Sequence, residues 1–126
     1  MDIDMSNTQV VLDFIAAWNR MDWDAVVSAF SEDVLYHNIP MEPLKGKAAV
    51  TEFITTGMDL DAVDWQLLAI AENGNKVLTE RVDNFYLVGG KAVSMPVMGT
   101  FEIVNGQITA WRDYFDLATF TSQMAH

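Results

Sequence analysis

The sequence contains no cysteine. That absence removes disulfides, thiolate nucleophiles, cysteine-ligated zinc and iron–sulfur clusters together, and leaves the redox compartment open. Histidine is nearly absent as well: His37 and His126 have no partner at metal-ligand spacing, so no metal site is expected. Basic residues are scarce, with seven Lys and Arg against eighteen Asp and Glu and a net charge of −11. Phosphate backbones and anionic headgroups are gripped by clustered cations, so neither nucleic acid nor a membrane surface is an expected partner. No apolar run approaches the ~20 residues of a membrane span. The opening MDIDMSNTQ is acidic where a signal peptide is basic, which points to the cytoplasm. No serine elbow is present. Gly89, Gly90 and Lys91 lack the longer glycine loop and following Ser or Thr of a phosphate cradle. Asp59, Asp61 and Asp64 lack the glycine and closing glutamate of a calcium loop and read as a solvated acidic loop.

What is present is enough for an ordinary core. With 126 residues, 51% of them hydrophobic, the chain reads as one domain spanning 1–126. Val10, Val11, Phe14, Ile15 and Trp18 recur at helical spacing behind Ser6 or Asn7 as cap. Asp22 can cap a second helix carrying Trp23, Val26, Val27 and Phe30 and ending near Ser31. Residues 34–39 read as a strand closed by Pro40 and Pro43. Gly46 introduces a third amphipathic helix, and after it the period changes to two. Turn pairs at Asn73-Gly74, Gly89-Gly90 and Asn105-Gly106 divide the remainder into four antiparallel strands near 65–72, 76–88, 91–104 and 107–116, before a short closing helix or tail. Helices first and a meander afterwards predict an α+β domain whose N-terminal helices pack into one curved sheet.

Strand parity then locates the charges. In the strand 76–88, Arg81 and Asp83 share a face. Two-residue turns at Gly89-Gly90 and Asn105-Gly106 would place Arg81, Met98 and Asp113 in one row across three strands, with Asp83 one step along. A slip of one residue in either turn would put Asp113 on the other face, unless a bulge restored the count. Asp113 lies beside Trp111 and Phe115, which mark that face as core. Two readings remain open on parity alone. One is a structural ion pair or a solvated face. The other is a buried acid–base pair, because one arginine neutralises one carboxylate and burial pushes the second toward its protonated form.

The stretches VLYHNIP, TERVDNF and WRDYFDL occur in order and at family-like spacing, and with them the chain resembles the limonene-1,2-epoxide hydrolases. That family shares the cone-shaped nuclear-transport-factor-2-like, or SnoaL-like, α+β fold with a curved mixed sheet. The resemblance implies one-step hydrolysis of a small apolar epoxide to a diol, without a cofactor or a covalent intermediate. By motif, Asp113 looks like the general base, Asp83 the acid and Arg81 the arginine bridging them. Tyr36 and Asn38 match the residues that grip the attacking water with the base, and two-residue spacing on a strand sets both on one face. Met58, Met95, Met98, Trp111 and Phe115 are candidates for the substrate wall, each weighed against plain core packing. An isomerase or polyketide cyclase on the same fold, and a non-catalytic binder of apolar ligands, are the competing readings. A homodimer is expected from the fold's habit, with Glu80, Tyr86, Arg112 and Tyr114 as an outward-facing set.

Overall fold

The computed structural model describes residues 6–125, so the acidic opening residues 1–5 and His126 lie outside the described residues. The elements run α1 (Asn7–Asn19), α2 (Trp23–Ser28), β1 (Phe30–Asn38), β2 (Leu44–Lys45), α3 (Lys47–Thr56), β3 (Leu60–Asn73), β4 (Lys76–Leu87), β5 (Ala92–Val104), β6 (Gln107–Tyr114) and α4 (Leu117–Met124). The strands form one mixed sheet in the order β2-β1-β6-β5-β4-β3, with β1 parallel to β6 and the other neighbours antiparallel. This is the expected α+β layering of helices against one curved sheet.

Helix α1 begins where Ser6 Oγ accepts from the Gln9 amide at 3.0 Å, satisfying one of the free donors of the first turn. Its inward stripe of Val10, Val11, Phe14, Ile15 and Trp18 is buried. Phe14 meets Phe30, Phe101 and Trp111 edge-on, so the helix is keyed to β1, β5 and β6 at once. Asp22 caps α2 by accepting from the Ala25 amide at 3.1 Å. The helix stops at Ser28, earlier than periodicity predicts, because Phe30 is drawn into the core as the first residue of β1 and pairs with Ile108. Tertiary burial overrides helical spacing there. Strand β3 also begins early, at Leu60, which puts Asp61 and Asp64 on a strand and corrects the loop reading for both. Both are exposed: three residues apart they would alternate to opposite faces, but the irregularity between Leu60 and Ala62 leaves Asp61 unpaired on this edge strand.

From β4 to β6 the register departs from the simple turn count twice; at the preceding turn Asn73 pairs with Lys76, so Gly74 and Asn75 make the turn expected at Asn73-Gly74. Between β4 and β5 the Leu87 amide donates to the Lys91 carbonyl at 2.7 Å, so Val88, Gly89 and Gly90 form a three-residue loop. Both glycines have positive φ, +98° and +96°, which the tight reversal needs. Arg81 therefore pairs with Val97, not Met98. Between β5 and β6 the Asn105-Gly106 turn is the two-residue type expected, pairing Val104 with Gln107. A bulge at Thr109 then intervenes, since Ile103 faces Ile108 while Glu102 faces Ala110. The Thr109 hydroxyl donates to the Glu102 carbonyl at 3.2 Å across it. The shift in the first turn and the bulge in the last strand cancel in parity, and Arg81 and Asp113 still face the same interior.

Candidate active site

Three rows of inward side chains build the site. One runs Thr79, Gly99, Asp113, Asn38 across β4, β5, β6 and β1; the next holds Arg81 and Val97, and beyond it Asp83 pairs with Met95. Arg81 is fully buried, while Asp83 and Asp113 are 3% and 4% exposed. The guanidinium grips Asp83 with two bonds, Nε to Oδ1 at 2.9 Å and Nη2 to Oδ2 at 2.8 Å. The same Nη2 donates to Asp113 Oδ2 at 3.0 Å. Nη1 donates to Thr79 Oγ1 at 3.0 Å. Asp113 Oδ1 accepts from the Trp111 indole at 2.8 Å. On the open side of Asp113, Tyr36 donates its hydroxyl to Asn38 Oδ1 at 3.1 Å.

Charge balance makes this cluster asymmetric. Burial, opposed by the contacts with Arg81 and reinforced by Asp113, pushes the Asp83 carboxyl up to about 6. Burial would pull the guanidinium down, but Asp113 and Asp83 outweigh it and hold Arg81 charged. Burial, with Asp113 next in effect, keeps Tyr36 in its neutral phenol form, able to donate. One cation beside two carboxylates leaves a net negative charge in a sparsely solvated place, which retention of one proton relieves. Trp65, paired with Asp83 on β3, places its ring 4.8 Å from Arg81 Cζ and shields the cation from a third side.

These groups face a cavity of about 250 Å³, smaller than the ~300 Å³ at the lower end of small-molecule pockets. Asp83, Asp113, Tyr36 and Asn38 are its polar wall; Trp18, Phe53, Ile54, Leu60, Phe85 and Phe120 are among the apolar side chains enclosing it. Met58, Met95 and Phe115 lie in that wall as the sequence predicts. Met98 does not: the three-residue loop turns it outward, half-exposed and paired with Tyr114 on the outer face. Trp111 is core, not wall, stacked against Tyr36 at 4.1 Å and against Phe101 at 5.5 Å, and it reaches the site only through its N–H. Sequence reasoning missed Thr79, Gly99 and Trp65; Thr79 was signalled by its two-residue spacing from Arg81 on β4, whereas Gly99 and Trp65 needed the true cross-strand register. His37 points away, its Nε2 2.9 Å from the Met41 carbonyl.

Residues 5–126 match the limonene-1,2-epoxide hydrolase catalytic domain. Over 104 residues the chain is 32% identical to epoxide hydrolase EphG of Mycobacterium tuberculosis, covering 82% of this chain and 69% of that protein. The structure of an M. tuberculosis epoxide hydrolase of the same type superposes with a TM-score of 0.83 at 28% identity, over 94% of this chain and 89% of that one. A putative polyketide cyclase of Xanthomonas campestris pv. campestris superposes with a TM-score of 0.78 at 28% identity, over 93% and 95% of the two chains. An NTF2-like protein of unknown function from Cytophaga hutchinsonii shares the fold, with a TM-score of 0.75 at 23% identity over 92% and 95% of the two chains. The family match over nearly the whole chain, the 32% identity to an epoxide hydrolase and the shared fold agree: this chain belongs to the limonene-1,2-epoxide hydrolase family.

Proposed function

We propose that the protein hydrolyses a small apolar, cyclic epoxide to a vicinal diol in one step, with no cofactor and no covalent intermediate. The observation that carries this reading is the bridging of two buried carboxylates by Arg81, at the polar end of an otherwise apolar cavity. Asp113, Tyr36 and Asn38 hold a water. Asp113 takes one proton from it as its oxygen attacks a ring carbon; the ring C–O bond breaks and its electron pair takes the proton of Asp83. Arg81 occupies one lone pair on each Asp83 oxygen and leaves others for that proton. Transfer of the proton from Asp113 back to Asp83 restores the starting state. Met58, Met95 and Phe115 shape the space for the hydrocarbon, and the cavity's size favours compact rings.

Assay of a panel of cyclic epoxides and ring ketones tests the assignment. Diol formation from at least one epoxide is expected. Turnover of ketones alone would instead favour the isomerase or cyclase chemistry suggested by the polyketide-cyclase neighbour. The pH profile provides a second check. Asp83 donates only when protonated, and its carboxyl is pushed up to about 6, so kcat/KM should fall as pH rises through that value, approaching tenfold per unit. A rate that keeps rising from pH 6 to 8 would contradict the acid role.

We also propose a cytoplasmic homodimer. No helix among the described residues is long and apolar enough to cross a membrane. The outer face of the sheet exposes Leu78, Tyr86, Met98 and Tyr114, beside an Arg112–Glu102 ion pair at 2.7 Å. A sedimentation mass of one chain at micromolar concentration would overturn the dimer.

A further inference from the structure

Arg81 and Asp113 do not sit on adjacent strands. Strand β5 runs between them, and the residue at the crossing is Gly99, paired with Thr79 on one side and Asp113 on the other. Unlike the turn glycines, Gly99 has no positive φ, so the backbone does not require glycine there. Glycine in a strand interior weakens the strand and marks a close approach of another group. The group is identifiable here: a Cβ on Gly99 would lie 2.5 Å from Arg81 Nη1, 2.5 Å from Asp113 Oδ1 and 3.1 Å from Thr79 Oγ1. Real Cβ atoms do not come so near polar atoms, and the strand is held on both sides by its ladder. Thr79 closes the same slot from β4, accepting from Nη1 at 3.0 Å while donating to the Gly99 carbonyl at 3.2 Å.

We propose that Gly99 and Thr79 are positioning residues that form a slot through which the Arg81 guanidinium crosses β5 to reach Asp113. The proposal rests on the hydrolase reading for its kinetic arm only. With the slot open, Arg81 is shared between Asp83 and Asp113. With the slot filled, Arg81 is pushed back onto Asp83, which it already holds by two bonds, and Asp113 is left buried without its cation. Asp113 then gains proton affinity and Asp83 loses it, each relative to the parent protein. The charged groups buried at the cluster, among the described residues, are Arg81 and Asp83 on β4 and Asp113 on β6. Tyr36 on β1 is the other titratable group facing it, and the uncharged neighbours are Asn38 on β1, the Trp65 ring on β3, Thr79 on β4 and the Trp111 N–H on β6.

The test is Gly99→Ala, with Thr79→Val and Thr79→Ser as companions. For Gly99→Ala, kcat on an epoxide turned over by the parent protein should fall on the order of 10²-fold, the share of a misplaced acid–base pair, while KM changes little. Carbon-13 NMR titration of the side-chain carboxyls should show Asp113 titrating higher, and Asp83 lower, than in the parent. Thr79→Val should shift both carboxyls in the same sense by less, and Thr79→Ser, which keeps the hydroxyl, should restore the parent titration. Parent titration and turnover in Gly99→Ala would overturn the proposal, as would a lowered melting temperature with neither carboxyl's titration shifted. If Gly99→Ala fails to fold, the Thr79 pair decides alone: identical titrations for Val and Ser would overturn it. A parent protein inactive on every epoxide sinks the hydrolase reading and leaves the titration arm intact.

Discussion

Asp113→Asn is expected to lower kcat on epoxides by roughly 10²- to 10⁴-fold, the contribution of a general base, while the cavity still binds a diol product or an apolar amide. The substitution keeps size and shape. What it removes is basicity and one acceptor: both carboxylate oxygens are in use, toward Arg81 Nη2 and Trp111 Nε1, and the amide offers only one oxygen for two donors. One donor loses its partner, at a cost of about 1–3 kcal/mol in stability. Melting curves and ligand titration should therefore show a folded, binding-competent protein beside a collapsed rate. Turnover within tenfold of the parent would mean that Asp113 is not the base. Equal ligand handling with no turnover in either protein would instead support a binding module.

Removing the cation is expected to damage the fold more than any other single change at this site. Arg81→Met fills similar length without charge and strands Asp83 and Asp113 in the interior. Breaking a buried ion pair from one side costs about 3–5 kcal/mol. For a chain of this size each kcal/mol corresponds to about 2–8 °C in Tm, so a drop on the order of 10–20 °C is expected at pH 7. The sign of the pH dependence follows. Without Arg81 the folded-state proton affinity of both carboxyls rises above that of the unfolded chain, so the deficit is largest at neutral pH and shrinks as pH falls toward 4. Replacing Arg81, Asp83 and Asp113 together by apolar residues should recover much of the loss while leaving the protein inactive, since the cost lies in unpaired charge and not in the lost bridge. Thermal melts of the single and triple variants between pH 4 and 8 check both statements; a single variant as stable as the parent at pH 7 would refute them.

Stability and catalysis thus draw on the same atoms. The bridging guanidinium holds the buried carboxylates together, and the carboxylate charge it leaves unneutralised favours the proton that the proposed reaction donates to the epoxide oxygen. The indole of Trp111 links both roles: its ring is packed among Tyr36, Phe14 and Phe101, and its N–H donates to Asp113, the proposed base. Such a residue reads as core from composition, and only the direction of one N–H shows otherwise.

Much of this was legible from residue order. Alternation placed Arg81 beside Asp83 and Tyr36 beside Asn38, because side chains two apart on a strand share a face whatever the register. Helical spacing and caps located α1, α2 and α3 because local hydrogen bonds to Ser6 and Asp22 begin the first two within a few residues of the motif that predicts them. The family motifs carried the rest of the site, since Asp113 could be named from WRDYFD before its neighbours were known. What chain order could not decide were quantities that depend on distant strands meeting. The loop Val88–Gly90 closes on three residues and β6 bulges at Thr109, each moving the register by one and together preserving the face. Those shifts turned Met98 outward and set Gly99 in the slot beneath Arg81, because a sheet assigns each side chain its neighbours through hydrogen bonds between strands far apart in sequence, and only the folded ladder counts them.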